Sequence, residues 1–309
     1  MNSILPAPAS ADQGIHSRAM LVRLTISGWN GRRFDRKITE EVNAQHCASK
    51  GAGRFNKHLL GGNNAAPSHA NAISKGGAAR LTFYSQTLPW ADEGWRLLPT
   101  KNYEKFTDAM RKAKSEHDEA VEQFVTDYPG YVDHARLLLN GMYRDEDYPS
   151  VASMREKFNV ALEFAPVPSA GDFRLDLPAD QLSEIERSTQ ERVENAVKVA
   201  MSDAWSRLRD SVAKISERLN GVEVEGKRKG KAKMFHDTLI DNAANLSDAL
   251  SRMNVTNDPD LEAMRQRVSD ELSDLSPNTL RRSPRARREA AKSADDILKA
   301  MDGLYGGRQ

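Results

Sequence analysis

The residues able to do chemistry in this chain are scattered. Seven histidines stand at 16, 46, 58, 69, 117, 134 and 236. His117-Asp118 and His236-Asp237 are His-Asp pairs, but neither has a second histidine four residues away or a companion set of acids. A metal-dependent hydrolase needs such ligands to converge, so no metal site is assigned. Asp145-Glu146-Asp147 reads as a solvated acidic turn. The lone cysteine, Cys47 beside His46, reads as a buried small hydrophobe rather than a nucleophile. No G-x-S-x-G or Cys-His pattern is present, so the chain reads as non-enzymatic, with no cofactor.

Positive charge is more organised. Lys227, Arg228, Lys229, Lys231 and Lys233 form one cluster; Arg281, Arg282, Arg285, Arg287 and Arg288 form another. Each phosphate neutralised by such groups releases counterions and adds salt-dependent affinity, which supports a nucleic-acid reading. The competing reading is solvated helix tips. Ser49 to Asn64 is glycine-rich and basic and offers backbone N–H groups to a phosphate, yet it lacks the G-x-x-x-x-G-K-[ST] order. A loop around a short helix at 54–60 is its plainer reading. Trp29, Trp205 and Tyr305 are candidates to stack on bases, with core packing favoured for Trp205.

The third feature is Thr87 to Thr100, TLPWADEGWRLLPT. Trp90 and Trp95 flank a turn at Asp92-Glu93-Gly94, which predicts a locally packed knot or an interaction motif. Arg96 is expected to stack on an indole or pair with Asp92 or Glu93.

Periodicity places these residues on elements. Val22, Leu24 and Ile26 alternate with polar residues, predicting a strand over 20–27; Val160, Leu162 and Phe164 predict a second, paired with the first. Between them, helices are expected over 39–46, 66–86, from 102 to a stop at Tyr128-Pro129-Gly130, over 131–140 and from 148 to 158. Phe173 to Leu175 reads as a further extended piece. From Leu182 to Leu219 apolar or small residues recur every three or four positions, and neither Pro nor Gly interrupts 179–220. That is one very long helix. Further helices fit 231–254, a run capped by Asp258, and 284–304.

The fold expected is therefore mainly α: a lead-in over 1–17, a small α+β domain over 18–177, and a long helical hairpin, open bundle or coiled-coil-like arm over 178–309. The arm's stripe looks too long for the helices after it to cover, which predicts a homo-oligomer. The chain has 309 residues and a formal net charge of +1, so no global field draws it to nucleic acid. With a mean hydropathy of −0.65 and no run near the ~20 residues that cross a bilayer, no membrane partner is expected, and the compartment reads as cytoplasmic.

SGWNGRRFDRKI at 27–38, GRFNKHLL at 53–60, LPWADEGWRLLPTKNY at 88–103 and FAPVPSAGDFRLDL at 164–177 together resemble a bacteriophage and prophage family of unknown function. The resemblance implies a non-enzymatic adaptor acting in the bacterial host cytosol with a protein partner, an AAA+ ATPase. It implies no catalytic residues. The alternative is a nucleic-acid-binding protein of phage recombination or replication; a hydrolase is a third.

Overall fold

In the computed structural model, which describes residues 14–62, 65–91, 94–169, 178–220, 238–273 and 277–305, β1 (Ala19–Ser27) follows a short helix α1 (Ile15–Arg18). Then come β2 (Arg32–Phe34), α2 (Arg36–Gln45), β3 (Asn56–His58), α3 (Pro67–Gln86), β4 (Leu88–Pro89), β5 (Trp95–Pro99), α4 (Tyr103–Leu139), α5 (Val151–Glu156) and β6 (Asn159–Pro166). The rest is helical: α6 (Ala179–Asn220), α7 (Thr238–Met253), α8 (Pro259–Val268), a π turn (Ser269–Ser273), α9 (Pro277–Arg282) and α10 (Pro284–Tyr305). The chain is predominantly α with a small antiparallel sheet near its start. The sheet runs β4-β5-β1-β6, and β2 and β3 form a separate ribbon.

Two compact units interleave in sequence rather than following one another: residues 1–23, 86–105 and 164–309 form one, and 24–85 with 106–163 form the other. The first unit therefore takes the tryptophan motif, which the sequential division assigns to the α+β domain. Leu21, Leu88, Trp90 and Leu97 share its core with Val193, Ala200, Ala204 and Leu208 of α6. Register explains the entry: β5 pairs β1 with Leu97 opposite Leu21, and β4 pairs β5 with Leu88 opposite Leu97.

The long helix is there with the expected bounds, and it packs against later helices of the chain as in a bundle. From Thr189 to Leu219 its stripe is buried, in one core with Ile240, Leu250 and Met253 of α7 and Ala290, Ala294, Ile297 and Met301 of α10. Alanines on both α6 and α10 let the two helices pack closely along their length. The stripe is thus covered by its own chain, and the argument from it to a second copy falls. Asp258 caps α8 as the sequence predicts: its carboxylate accepts from the N–H groups of Asp260 (3.0 Å) and Leu261 (3.4 Å). The other oxygen accepts from Trp205 Nε1 at 3.1 Å, which fixes the indole inside the core.

The second unit is built on α3 and α4. Their faces meet through Lys75–Glu116 at 2.8 Å and Ser68–Tyr131 at 2.8 Å. Phe124, Tyr128, Met154, Phe158 and Leu60 form its core. The stop expected at Pro129 does not occur, and α4 runs through to Leu139. Proline removes one helical hydrogen bond, but here tertiary packing holds the turn. Tyr128 donates its hydroxyl to Pro149 O at 3.0 Å, and Phe124, Tyr128 and Tyr131 pack ring against ring. The short helix read at 54–60 is also corrected: this stretch holds β3, paired to β2. The extended piece at 173–175 lies outside the described residues.

Candidate functional site

The β2–β3 ribbon gathers the basic residues of the two segments that the sequence leaves as turn and loop. Its register sets Arg32 opposite His58, Arg33 opposite Lys57 and Phe34 opposite Asn56. Strand alternation then sends the pairs to opposite faces.

On the Arg33–Lys57 face the charge is neutralised, and Lys57 is buried while Arg33 stays exposed. Lys57 is only 3% exposed; its Nζ lies 2.6 Å from Asp147 Oδ2 and 3.4 Å from Asp35 Oδ2, and donates to Met142 O at 2.9 Å. Arg33 Nε reaches Asp147 Oδ1 at 3.4 Å. Asp147 is thus no solvated loop acid; its side chain is 6% exposed. Asp35 also caps α2, accepting from Ile38 N at 3.1 Å. That N–H, and then Lys57, hold its carboxyl below the ordinary carboxylate value.

The other face is left positive. Arg32, Phe34, Asn56 and His58 are exposed there, and the Arg54 guanidinium sits 4.8 Å from the Phe34 ring centroid. Among the described residues no carboxylate lies within ion-pair distance of Arg32, Arg54 or His58. Nearby cations differ: Arg36 pairs with Glu40 at 2.8 Å and Lys37 with Glu41 at 3.8 Å. An open depression of about 600 Å³ lies over this face, lined by Asn30, Arg32, Arg33, Phe34, Arg54 and Asn56. A second, of about 470 Å³, adjoins it and shares Asn30 and Arg32. Gly31, with φ +63°, makes the turn that lets the chain enter β2 between them.

The residues singled out from sequence fall elsewhere. Trp90 is buried at 7% exposure, while Trp95 is half-buried under the Arg23 guanidinium, 5.0 Å from its ring. Arg96 donates to Thr87 Oγ1 at 2.7 Å and to Thr87 O at 3.0 Å. The motif is thus built into the first unit's core. Asp92 and Glu93 lie outside the described residues, as do Lys227, Arg228, Lys229, Lys231 and Lys233. In the arginine cluster, Arg285 pairs with Glu289 at 2.8 Å and Arg287 donates to Leu280 O at 3.0 Å. Arg282 and Arg288 are exposed, and the Arg281 side chain is outside the described set.

Cys47 is exposed, with φ +50°, rather than buried. His117 is 2% exposed and reaches Asp118 at 3.4 Å, with Phe158 beside it and no nucleophile in the set. Among the described residues no three His, Cys, Asp or Glu side chains converge on a metal position, and no helix is long and apolar enough to cross a membrane.

The signal for the ribbon was present in sequence. Gly53 and Gly61 bracket Phe55-Asn56-Lys57-His58-Leu59, an alternation that a helix would not need. What the sequence could not supply was the partner strand, because β2 is only three residues long. No protein-family model, curated protein or solved structure matches the chain.

Proposed function

We propose that this chain is a non-catalytic binding protein that holds the phosphate backbone of nucleic acid on its β2–β3 ribbon. One observation carries the reading: two basic residues, Arg32 and His58, stand directly opposite each other on an exposed face, with Arg54 alongside and no acid to balance them. An anion laid on this face balances the Arg32 and Arg54 guanidinium charges, which no carboxylate among the described residues does. Arginine's planar fork matches the oxygens of a phosphate. Phe34 under Arg54 keeps that guanidinium on the ribbon rather than free in solvent.

The test is a salt titration of binding to single- and double-stranded oligonucleotides. Each phosphate contact contributes about 0.7 to the log–log salt slope on single strands and about 0.9 on duplex. Arg32→Ala and Arg54→Ala are each expected to lower the slope by about one such contact. Absence of binding at low salt sinks the reading.

A second reading is an adaptor for a protein partner, and the exposed face of α3 favours it. Ile73, Leu81 and Tyr84 lie on one side of that helix, and Leu81 is 73% exposed. With the phage-family resemblance, the partner would be an AAA+ ATPase of the host cytosol. Co-purification with such an ATPase that survives Leu81→Glu would remove the support α3 gives.

A further inference from the structure

Beside the positive face lies a depression of different character. Apart from Asn30, Arg32 and His58 at its mouth, it is walled by Leu60, Ala66, Ala70 and Ile73, and by the ring of His69. Leu60 and Ala66 are buried, so this wall belongs to the second unit's core rather than to a mobile rim. His69 is held rigidly: its Nε2 donates to the Trp29 carbonyl at 2.7 Å, and its ring meets Trp29 edge-on at 5.7 Å and Phe124 at 5.0 Å. That bond leaves only Nδ1 of the ring for a further partner. Asn30 is committed too. Its Oδ1 accepts from Arg32 N at 3.0 Å, which leaves its amide N–H groups to donate.

Apolar walls, one fixed aromatic ring and an amide donor make a site for a flat heteroaromatic group with polar edges. Arg32 lines both depressions, so the same guanidinium borders the apolar seat and the anionic one. We infer that the second depression seats one nucleobase of a single strand, with that nucleotide's phosphate on Arg32 and the strand continuing toward Arg54. The inference rests on the ribbon reading and adds its substrate class. A duplex keeps its bases stacked and paired, and a concave seat reaches only a base that is already splayed out. The ribbon, three residues on each strand, is also too short to lie along a groove and read it.

The experiment uses the full chain and fluorescence anisotropy at low salt. The probes are a single-stranded DNA of about 12 nucleotides, its duplex, an abasic strand of the same length, and free adenosine and thymidine monophosphates. The unsubstituted strand is expected to bind at least about fivefold tighter than the abasic one, as stacking of even one base provides. Ala70→Leu, at an exposed helical position that lines the seat, is expected to bring that ratio close to one. Arg32→Ala is expected to weaken both strands. Thermal melts of each variant confirm that it is folded.

Equal binding of natural and abasic strands overturns the base seat and leaves the ribbon reading intact. An unchanged ratio in Ala70→Leu overturns the placement of the seat. A mononucleotide that binds as tightly as the strand overturns the strand in favour of a free nucleotide. Failure of every probe removes the ribbon reading itself.

Discussion

Lys57 is a single ammonium holding two carboxylates of the second unit, and all three are nearly out of water. Lys57→Met leaves Asp35 and Asp147 buried with less than their balancing charge, and removing one partner from such a set costs about 3–5 kcal/mol. Urea denaturation monitored by far-UV circular dichroism measures the loss. The acid limb follows from Asp35. Its carboxyl is depressed in the fold, so its contribution is full above the ordinary carboxylate value of 3.8 and is lost as pH falls through the lower folded-state value. The alkaline limb follows from Tyr128, whose phenol burial pushes up from 10.0 to about 12. The folded state then holds that proton more tightly, so the contribution is intact below pH 10 and is lost as pH rises from 10.0 toward 12. Ultraviolet titration is expected to show Tyr128 ionising above the ordinary tyrosine value. Of the two tryptophans in the motif, the larger penalty belongs to Trp90: Trp90→Ala is expected to cost about 3–5 kcal/mol, and the half-buried Trp95 less.

Elements were legible where a pattern ran long enough to outvote its neighbours. The stripe from Thr189 to Leu219 and the Asp258 cap fix α6 and α8 from sequence alone, and the alternation in Val22 to Ile26 fixes β1. Short elements were not legible. β3 is three residues whose only reason to be extended is β2, and β5 looks like a turn's flank until Leu97 finds Leu21. Pro129 misled because local propensity speaks for breakage, and the aromatic packing that overrides it is non-local. An unbalanced charged face is hard to read from sequence, because it depends on which cations the fold leaves without acids nearby. Gly77 gives a clean check on α3. It is exposed in mid-helix, and a Cβ there meets nothing within 4 Å. Gly77→Ala is expected to stabilise by about 0.5–1 kcal/mol, read as a rise in Tm, because alanine loses less backbone freedom on folding.

At the scale of the whole molecule, the first unit draws its core from segments far apart in sequence. Leu208 is fully buried beside Leu88, Leu97 and Leu250 in one apolar cluster. Leu208→Ala, expected to cost about 2–5 kcal/mol, should speed amide hydrogen exchange in residues 86–105 as well as along α6. Faster exchange confined to α6 would contradict a shared core.

The interleaving also bears on how the chain can be cut. Composition changes at about residue 178, and a fragment ending at 177 looks like a natural product to isolate. It would keep Leu21, Leu88, Trp90 and Leu97 but discard every α6, α7 and α10 side chain that covers them. Those residues would then form an apolar patch ending in the two-residue edge strand β4, an open template for another chain. Such a fragment is expected to precipitate or self-associate when expressed alone, and to be rescued by supplying residues 178–309 in trans.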